Sequence, residues 1–235
     1  MFFWLTKQLF SAQSGLAPRR QLSQFINVGF HGDKYLLFLA EYLASTSKVF
    51  IETGTNVGTT LAYVARNYPW LRCLSCEPDE SAFAQAYENA GKYGNVSLFN
   101  STSQQFIEQL SKHEPDIFPE QCFFWLDAHG YGFEWPLKKE LEFITRHFNS
   151  GYILIDDFKV PDLDDFKYDI YQEQICSYDY VKDVLNPDKT YHLYYPTYTD
   201  KTSTHHPLCG WGLLVFGNID FCIPEQLVGR MKEAL

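Results

Sequence analysis

The chain has 235 residues, 46% of them hydrophobic and 20% charged, with 14 Gly and 11 Pro. That balance suits one globular unit and excludes disordered, collagen-like and low-complexity classes. The 29 acidic residues against 19 basic ones give a formal charge of -10, and without a long basic run such a chain is a poor match for a phosphate backbone, so no nucleic acid is expected as partner.

In chain order, Met1-Phe-Phe-Trp-Leu5 begins like a signal peptide, but Lys7 and Gln8 interrupt it before an h-region of roughly 7–15 apolar residues can form. No later run of about 18 apolar residues is free of charge, so no stable membrane insertion is expected. Phe2, Phe3, Trp4, Leu5 and Phe10 read as an N-terminal helix packed on its own domain, with a homo-oligomer contact or a membrane surface as the alternatives. Lys34 to Ala44 has the apolar spacing of a helix, and Val49 to Ile51 is a buried strand ending at Glu52. Helices over Thr59 to Asn67, Glu80 to Ala90, Gln104 to Leu110 and Leu137 to His147 then alternate with strands over Leu71 to Cys76, Asn95 to Phe99, Cys122 to Leu126 and Tyr152 to Ile155. Beyond residue 157 an Asp-rich stretch leads to a helix at Ser177 to Leu185 and strands at Tyr191 to Tyr195 and Gly212 to Phe216, expected to pair antiparallel. The alternation predicts an α/β fold: a Rossmann-like, doubly wound, mostly parallel seven-stranded sheet with helices on both faces and the last strand antiparallel. Residues 1–47 read as an N-terminal helical cap and 48–235 as a single globular unit.

Six cysteines (73, 76, 122, 176, 209 and 222) are spread thinly through the chain, which suits reduced thiols in a cytoplasmic protein better than a disulfide framework. Cys73 and Cys76 form a CxxC. On a strand, residues three apart point to opposite faces, so structural burial is the better reading than a redox or zinc pair.

In an open α/β sheet, ligands bind beyond the carboxyl ends of the strands. After the first strand comes Glu52-Thr-Gly-Thr-Asn-Val-Gly58, where Gly54 and Gly58 permit a tight turn and close backbone approach before a helix N-terminus. After the second strand comes Glu77, placed to accept both hydroxyls of a ribose. The pyrophosphate pattern GxGxxG is broken by Asn56, so a nucleoside without pyrophosphate fits better than a dinucleotide. After strands four and five come Asp127 with His129 and Asp156 with Asp157. Adjacent parallel strands lie about 5 Å apart, so these groups form one cluster, and carboxylates so close require a cation between them. A divalent metal, Mg²⁺ or Mn²⁺, answers that need.

Glu52 to Gly58, the Glu77 strand end and Val96-Ser-Leu-Phe-Asn-Ser-Thr-Ser-Gln104 resemble the cofactor half of class I S-adenosylmethionine-dependent methyltransferases. The resemblance implies Glu52 and the loop of Gly54, Thr55, Asn56 and Gly58 near the methionine moiety, Glu77 on the ribose, and Ser103 and Gln104 by the adenine. The Asp127–His129 and Asp156–Asp157 pairs are similar to the metal-dependent O-methyltransferases of the catechol and macrolide-sugar groups. In the catechol pattern Asp127 is a ligand and His129 the base; in the sugar pattern Asp127 is the base and His129 a ligand. The resemblance thus implies an O-methyltransferase using S-adenosylmethionine and a divalent cation on a hydroxyl of a small molecule or sugar. The alternatives are a non-catalytic nucleoside-binding or interaction domain of the same fold, and a metal-dependent hydroxylase or hydrolase using the Asp/His cluster.

Overall fold

A computed structural model describes residues 29–128, 135–200 and 208–235. Its helices are α1 (Lys34–Thr46), α2 (Thr59–Asn67), α3 (Glu80–Ala90), α4 (Ser103–His113), α5 (Leu137–His147) and α6 (Tyr178–Val181). Its strands are β1 (Val49–Thr53), β2 (Arg72–Cys76), β3 (Val96–Phe99), β4 (Cys122–Leu126), β5 (Gly151–Ile155), β6 (Ile170–Tyr171), β7 (Gln174–Ile175), β8 (Tyr191–Pro196), β9 (Gly212–Phe216) and β10 (Met231–Glu233).

The central strands are near-continuous apolar runs because both of their faces are covered. All five residues of β4, Cys-Phe-Phe-Trp-Leu, are buried, as are all five of β5 and of β9. The helices start where a side chain can take the free N–H groups of the first turn. Asp33 accepts from the amides of Tyr35 and Leu36 at the head of α1, and Asp79 from that of Ala82 in α3. Thr102 and Gln105 close a reciprocal capping box on α4.

The main sheet has eight strands in the order β10-β8-β9-β5-β4-β1-β2-β3. β3, β2, β1, β4 and β5 run parallel, and β9 returns antiparallel between β5 and β8. From β1 the chain winds outward to β3, then crosses back to β4 and continues to β5. Right-handed crossovers in opposite directions put α2 and α3 on one face and α4 and α5 on the other. In agreement, α2 packs on α3 and α4 on α5. The direction of winding therefore switches between β1 and β4, and the loops after those two strands flank the crevice.

Two expectations need correction. The sheet has an eighth strand, because Met231–Glu233 pairs antiparallel with β8 at its outer edge. The helix expected over Ser177 to Leu185 is helical only over Tyr178–Val181, with a 3-10 turn next to it over Lys182–Val184. Leu185 is extended (φ -69°, ψ 139°), and Asn186 precedes Pro187, whose ring disfavours the helical conformation in its predecessor. Among the described residues no helix is long and apolar enough to cross a membrane. Cys73 and Cys76 are both buried and unbridged within β2, as the strand reading requires, and burial raises both thiol pKa values.

Candidate active site at the sheet's switch point

A cavity of about 460 Å³ opens at the switch point, within the size range of small-molecule sites. Gly54, Asn56, Glu77, Ser103, Gln104 and Asp127 are among the residues that line it.

The loop after β1 is built on glycine geometry. Gly54 has φ +80°, and a Cβ there would collide with the Asp127 carbonyl oxygen. Only glycine lets the β1 and β4 loops press together at the crevice. Gly58, with φ +79°, stands beneath α3, where a Cβ would meet the Ala86 Cα at 2.9 Å. It heads α2 and packs helix on helix.

Glu77 organises the adjoining loops. One of its carboxylate oxygens accepts from the Asn56 amide at 2.8 Å and the other from the Asp79 amide at 2.9 Å. Each oxygen has a second lone pair for a ligand hydroxyl. The Asn56 bond holds that residue at φ +49°, a conformation that costs a non-glycine residue about 1–2 kcal/mol.

Of the eight expected cofactor residues, Gly54, Asn56, Glu77, Ser103 and Gln104 reach the cavity wall, while Glu52, Thr55 and Gly58 stand behind it. Glu52 is only 1% exposed and accepts from the Ser75 hydroxyl at 2.6 Å. The Thr55 hydroxyl lies against that of Ser75 and donates to the Cys76 carbonyl at 3.0 Å. Burial raises the Glu52 pKa to about 8 against the pull of the Ser75 hydrogen bond, with the charges of Asp127 and Glu77 adding to the rise. Glu140 of α5 is a second buried acid under the cavity, and no motif around it in the sequence marks it out. Burial raises it to about 7, opposed by the hydroxyls of Ser103 and Thr53.

The acidic pairs after β4 and β5 come together as expected from parallel neighbours. Leu126 and Ile155 are register partners, and the Asp156 amide bonds the Leu126 carbonyl at 3.0 Å. Asp127 and Asp156 therefore leave the sheet side by side. His129 lies outside the described residues, as do Phe2 to Phe10.

One participant went unread in the sequence. His31, from the turn before α1, sets its Nε2 2.7 Å from Asp156 Oδ2. Burial pulls the imidazole pKa down, but Asp156, together with Asp127 and Asp157, more than reverses this and holds it at about 9. Burial likewise opposes the Asp156 charge, yet His31 keeps that carboxyl below its ordinary value. The one signal in the sequence is the run Gly29-Phe-His-Gly-Asp33, a glycine-flanked histidine before a helix cap. Among the described residues no three His, Cys, Asp or Glu side chains converge to hold a metal ion. His31 takes one Asp156 oxygen, while the other, Oδ1, is buried and bonds to no described residue.

No protein-family model and no curated protein sequence matches the chain. Solved structures do. The O-methyltransferase from Bacillus cereus in complex with SAH is 16% identical, with a TM-score of 0.52 over 83% of this chain and 87% of that one. TomG from Streptomyces achromogenes, an O-methyltransferase of tomaymycin synthesis solved with SAM, is 17% identical, with a TM-score of 0.50 over 78% and 79%. A SAM-dependent methyltransferase from Aquifex aeolicus is 14% identical, with a TM-score of 0.51 over 86% and 99%. The fold is that of the class I S-adenosylmethionine-dependent methyltransferases.

Proposed function

We propose that the protein is an S-adenosylmethionine-dependent O-methyltransferase acting on a hydroxyl of a small molecule or sugar. The observation that carries this reading is the cavity at the switch point, where Glu77 and the close-packed Gly54 turn meet Asp127. The solved O-methyltransferases from Bacillus cereus and Streptomyces achromogenes, which bind SAH and SAM, support it by their shared fold. In this reading Glu77 takes the ribose hydroxyls, Ser103 and Gln104 border the adenine, and Gly54 with Asn56 lines the path to the reacting end. Bound there, S-adenosylmethionine supplies the activated methyl group. The acceptor's proton goes to a base at Asp127, which lines the cavity, or at His129 two residues on. Glu77 and Asp127 line the cavity with acid, which suits a ligand carrying a sulfonium and an ammonium. Residues 1–47, the expected N-terminal cap, would take part in selecting the acceptor.

Calorimetry with S-adenosylhomocysteine tests the reading. We expect one site per chain with micromolar affinity, weakened in Glu77→Ala. Absence of binding, with and without Mg²⁺ or Mn²⁺, rejects the methyltransferase assignment, whereas binding without transfer to any hydroxyl acceptor favours a nucleoside-binding domain of the same fold.

A further inference from the structure

Two acids lie buried beneath the cavity, and only one of them has a hydrogen-bond partner. Glu52 stands on β1 and accepts from the Ser75 hydroxyl. Glu140, on the first turn of α5, is 1% exposed, and neither of its carboxyl oxygens bonds to any described residue. A buried acid with unmet hydrogen bonds is costly, and an apolar side chain of similar size avoids that cost. Its presence in the fold calls for a role beyond packing.

The neighbours of Glu140 define that role. Successive residues of a strand face opposite sides of the sheet, so Thr53 turns away from the side that Glu52 occupies. Burial opposes the charge of Glu140, and the hydroxyls of Ser103 and Thr53 favour it, so both stand close to the carboxyl. The Thr53 hydroxyl is itself buried without a hydrogen-bond partner. Each of the two residues is the root of a cavity wall. Thr53 ends β1 and leads straight into Gly54, whose amide, like that of Thr55, bonds the Cys76 carbonyl. Ser103 lines the cavity at the head of α4 and leads straight into Gln104. Because α4 packs on α5, the first turn of α5 carries Glu140 to the junction of the two walls.

We propose that Glu140 is a positioning residue of the ligand site, the common acceptor for the Thr53 and Ser103 hydroxyls, which couples the Gly54 turn to the Ser103–Gln104 wall. A ligand that touches both walls draws the two hydroxyls onto it. That the ligand is S-adenosylmethionine rests on the methyltransferase reading; the coupling of the walls does not.

The test compares Glu140→Leu with Glu140→Gln in the full chain at about pH 8, above the Glu140 value of about 7. Glu140→Leu should melt no lower than wild type, since it removes a buried acid, yet bind S-adenosylhomocysteine about tenfold more weakly in calorimetry. Glu140→Gln keeps an acceptor oxygen and should bind within about threefold of wild type. Ser103→Ala should weaken binding by the wild type and add nothing in Glu140→Leu. A packing role alone would move melting and affinity together, without rescue by glutamine. Wild-type affinity in Glu140→Leu, or an equal effect of Ser103→Ala in both backgrounds, overturns the proposal. Amide hydrogen exchange without ligand keeps this separate from the methyltransferase reading. In Glu140→Leu the amides of Gly54, Thr55, Gln105 and Phe106 should exchange about tenfold faster, with β4 and β5 unchanged. Unchanged exchange at those four amides overturns the coupling, whereas failure of the wild type to bind S-adenosylhomocysteine sinks only the methyltransferase reading. If Glu140→Leu does not fold, Thr53→Val, which removes the donor and keeps the shape, decides in its place: faster exchange at Gly54 and Thr55 supports the coupling and unchanged exchange overturns it.

Discussion

Gly54 and the carbonyl of Asp127 are packed so closely that a single methyl group would not fit between them. The contact joins the turn after β1 to the chain end of β4, the two halves of the crevice. Gly54→Ala adds that methyl group and also requires an L-residue to hold φ +80°. The left-handed conformation costs about 1–2 kcal/mol and overpacking against backbone about 1–3 kcal/mol. We therefore expect a loss of about 2–4 kcal/mol in urea unfolding, and at least a tenfold loss of S-adenosylhomocysteine affinity in the fraction that folds. Wild-type affinity in that variant would show that the contact does not shape the cavity.

Glu77→Gln is close to isosteric but leaves one acceptor where two are used. The Asn56 and Asp79 amides occupy different oxygens of the native carboxylate, so the glutamine NH₂ must confront one of them. A lost charge-assisted bond and a facing donor pair cost about 1.5–3 kcal/mol. Calorimetry should show roughly ten- to hundredfold weaker binding. Glu77→Asp, which keeps both acceptors on a shorter stem, should fall between the two.

The apolar strands were legible because burial on both faces leaves a continuous signature, as in Phe123 to Leu126. The meeting of Asp127 with Asp156 was legible for a simpler reason: parallel neighbours in register put the residues just beyond them side by side. The side of the wall on which each residue falls was not. Glu52 belongs to the buried body of β1, while Glu77 lies just past the end of β2 in the loops. β10 shows only one buried residue, Met231, before exposed Lys232 and Glu233, too short a pattern to announce a strand. His31 reaches Asp156 across 125 positions of sequence. Its placement depends on Asp33, Tyr198 and Trp211, a tertiary relation no local spacing encodes.

Glu52 and Glu140 make stability depend on pH in a definable direction. Each has an ordinary value of 4.5, raised in the fold by burial to about 8 and about 7. The folded state thus holds more protons than the unfolded chain between pH 4.5 and 8, so both contributions favour folding at low pH and decline as pH rises. His31, raised from 6.5 to about 9, contributes stability that is fully present below pH 6.5 and lost through pH 9, the same direction. Glu52→Gln isolates one group. Relative to wild type it should gain on the order of 3 kcal/mol between pH 5 and pH 8.5 in urea melts. An equal difference at the two pH values would mean that Glu52 is charged in the fold.

Asp33 joins a helix cap to a buried phenol, and its two oxygens can be separated by mutation. One accepts from the Tyr35 and Leu36 amides, the other from Tyr198. Asp33→Ala removes the cap, worth about 1 kcal/mol, and leaves the buried Tyr198 hydroxyl without its acceptor, a further cost of about 1–3 kcal/mol. Thermal melts should show the sum, about 2–4 kcal/mol. Asp33→Asn should lose about 1–3 kcal/mol, because its single oxygen serves the cap while its amide, a donor, leaves the Tyr198 hydroxyl without an acceptor. Since Asp33 also anchors the His31 turn, Asp33→Ala should speed hydrogen exchange at the α1 N-terminus and leave β1 and β2 unchanged. S-adenosylhomocysteine affinity should then hold within about threefold of wild type, because the cavity wall at Glu77 and Ser103 does not depend on that turn.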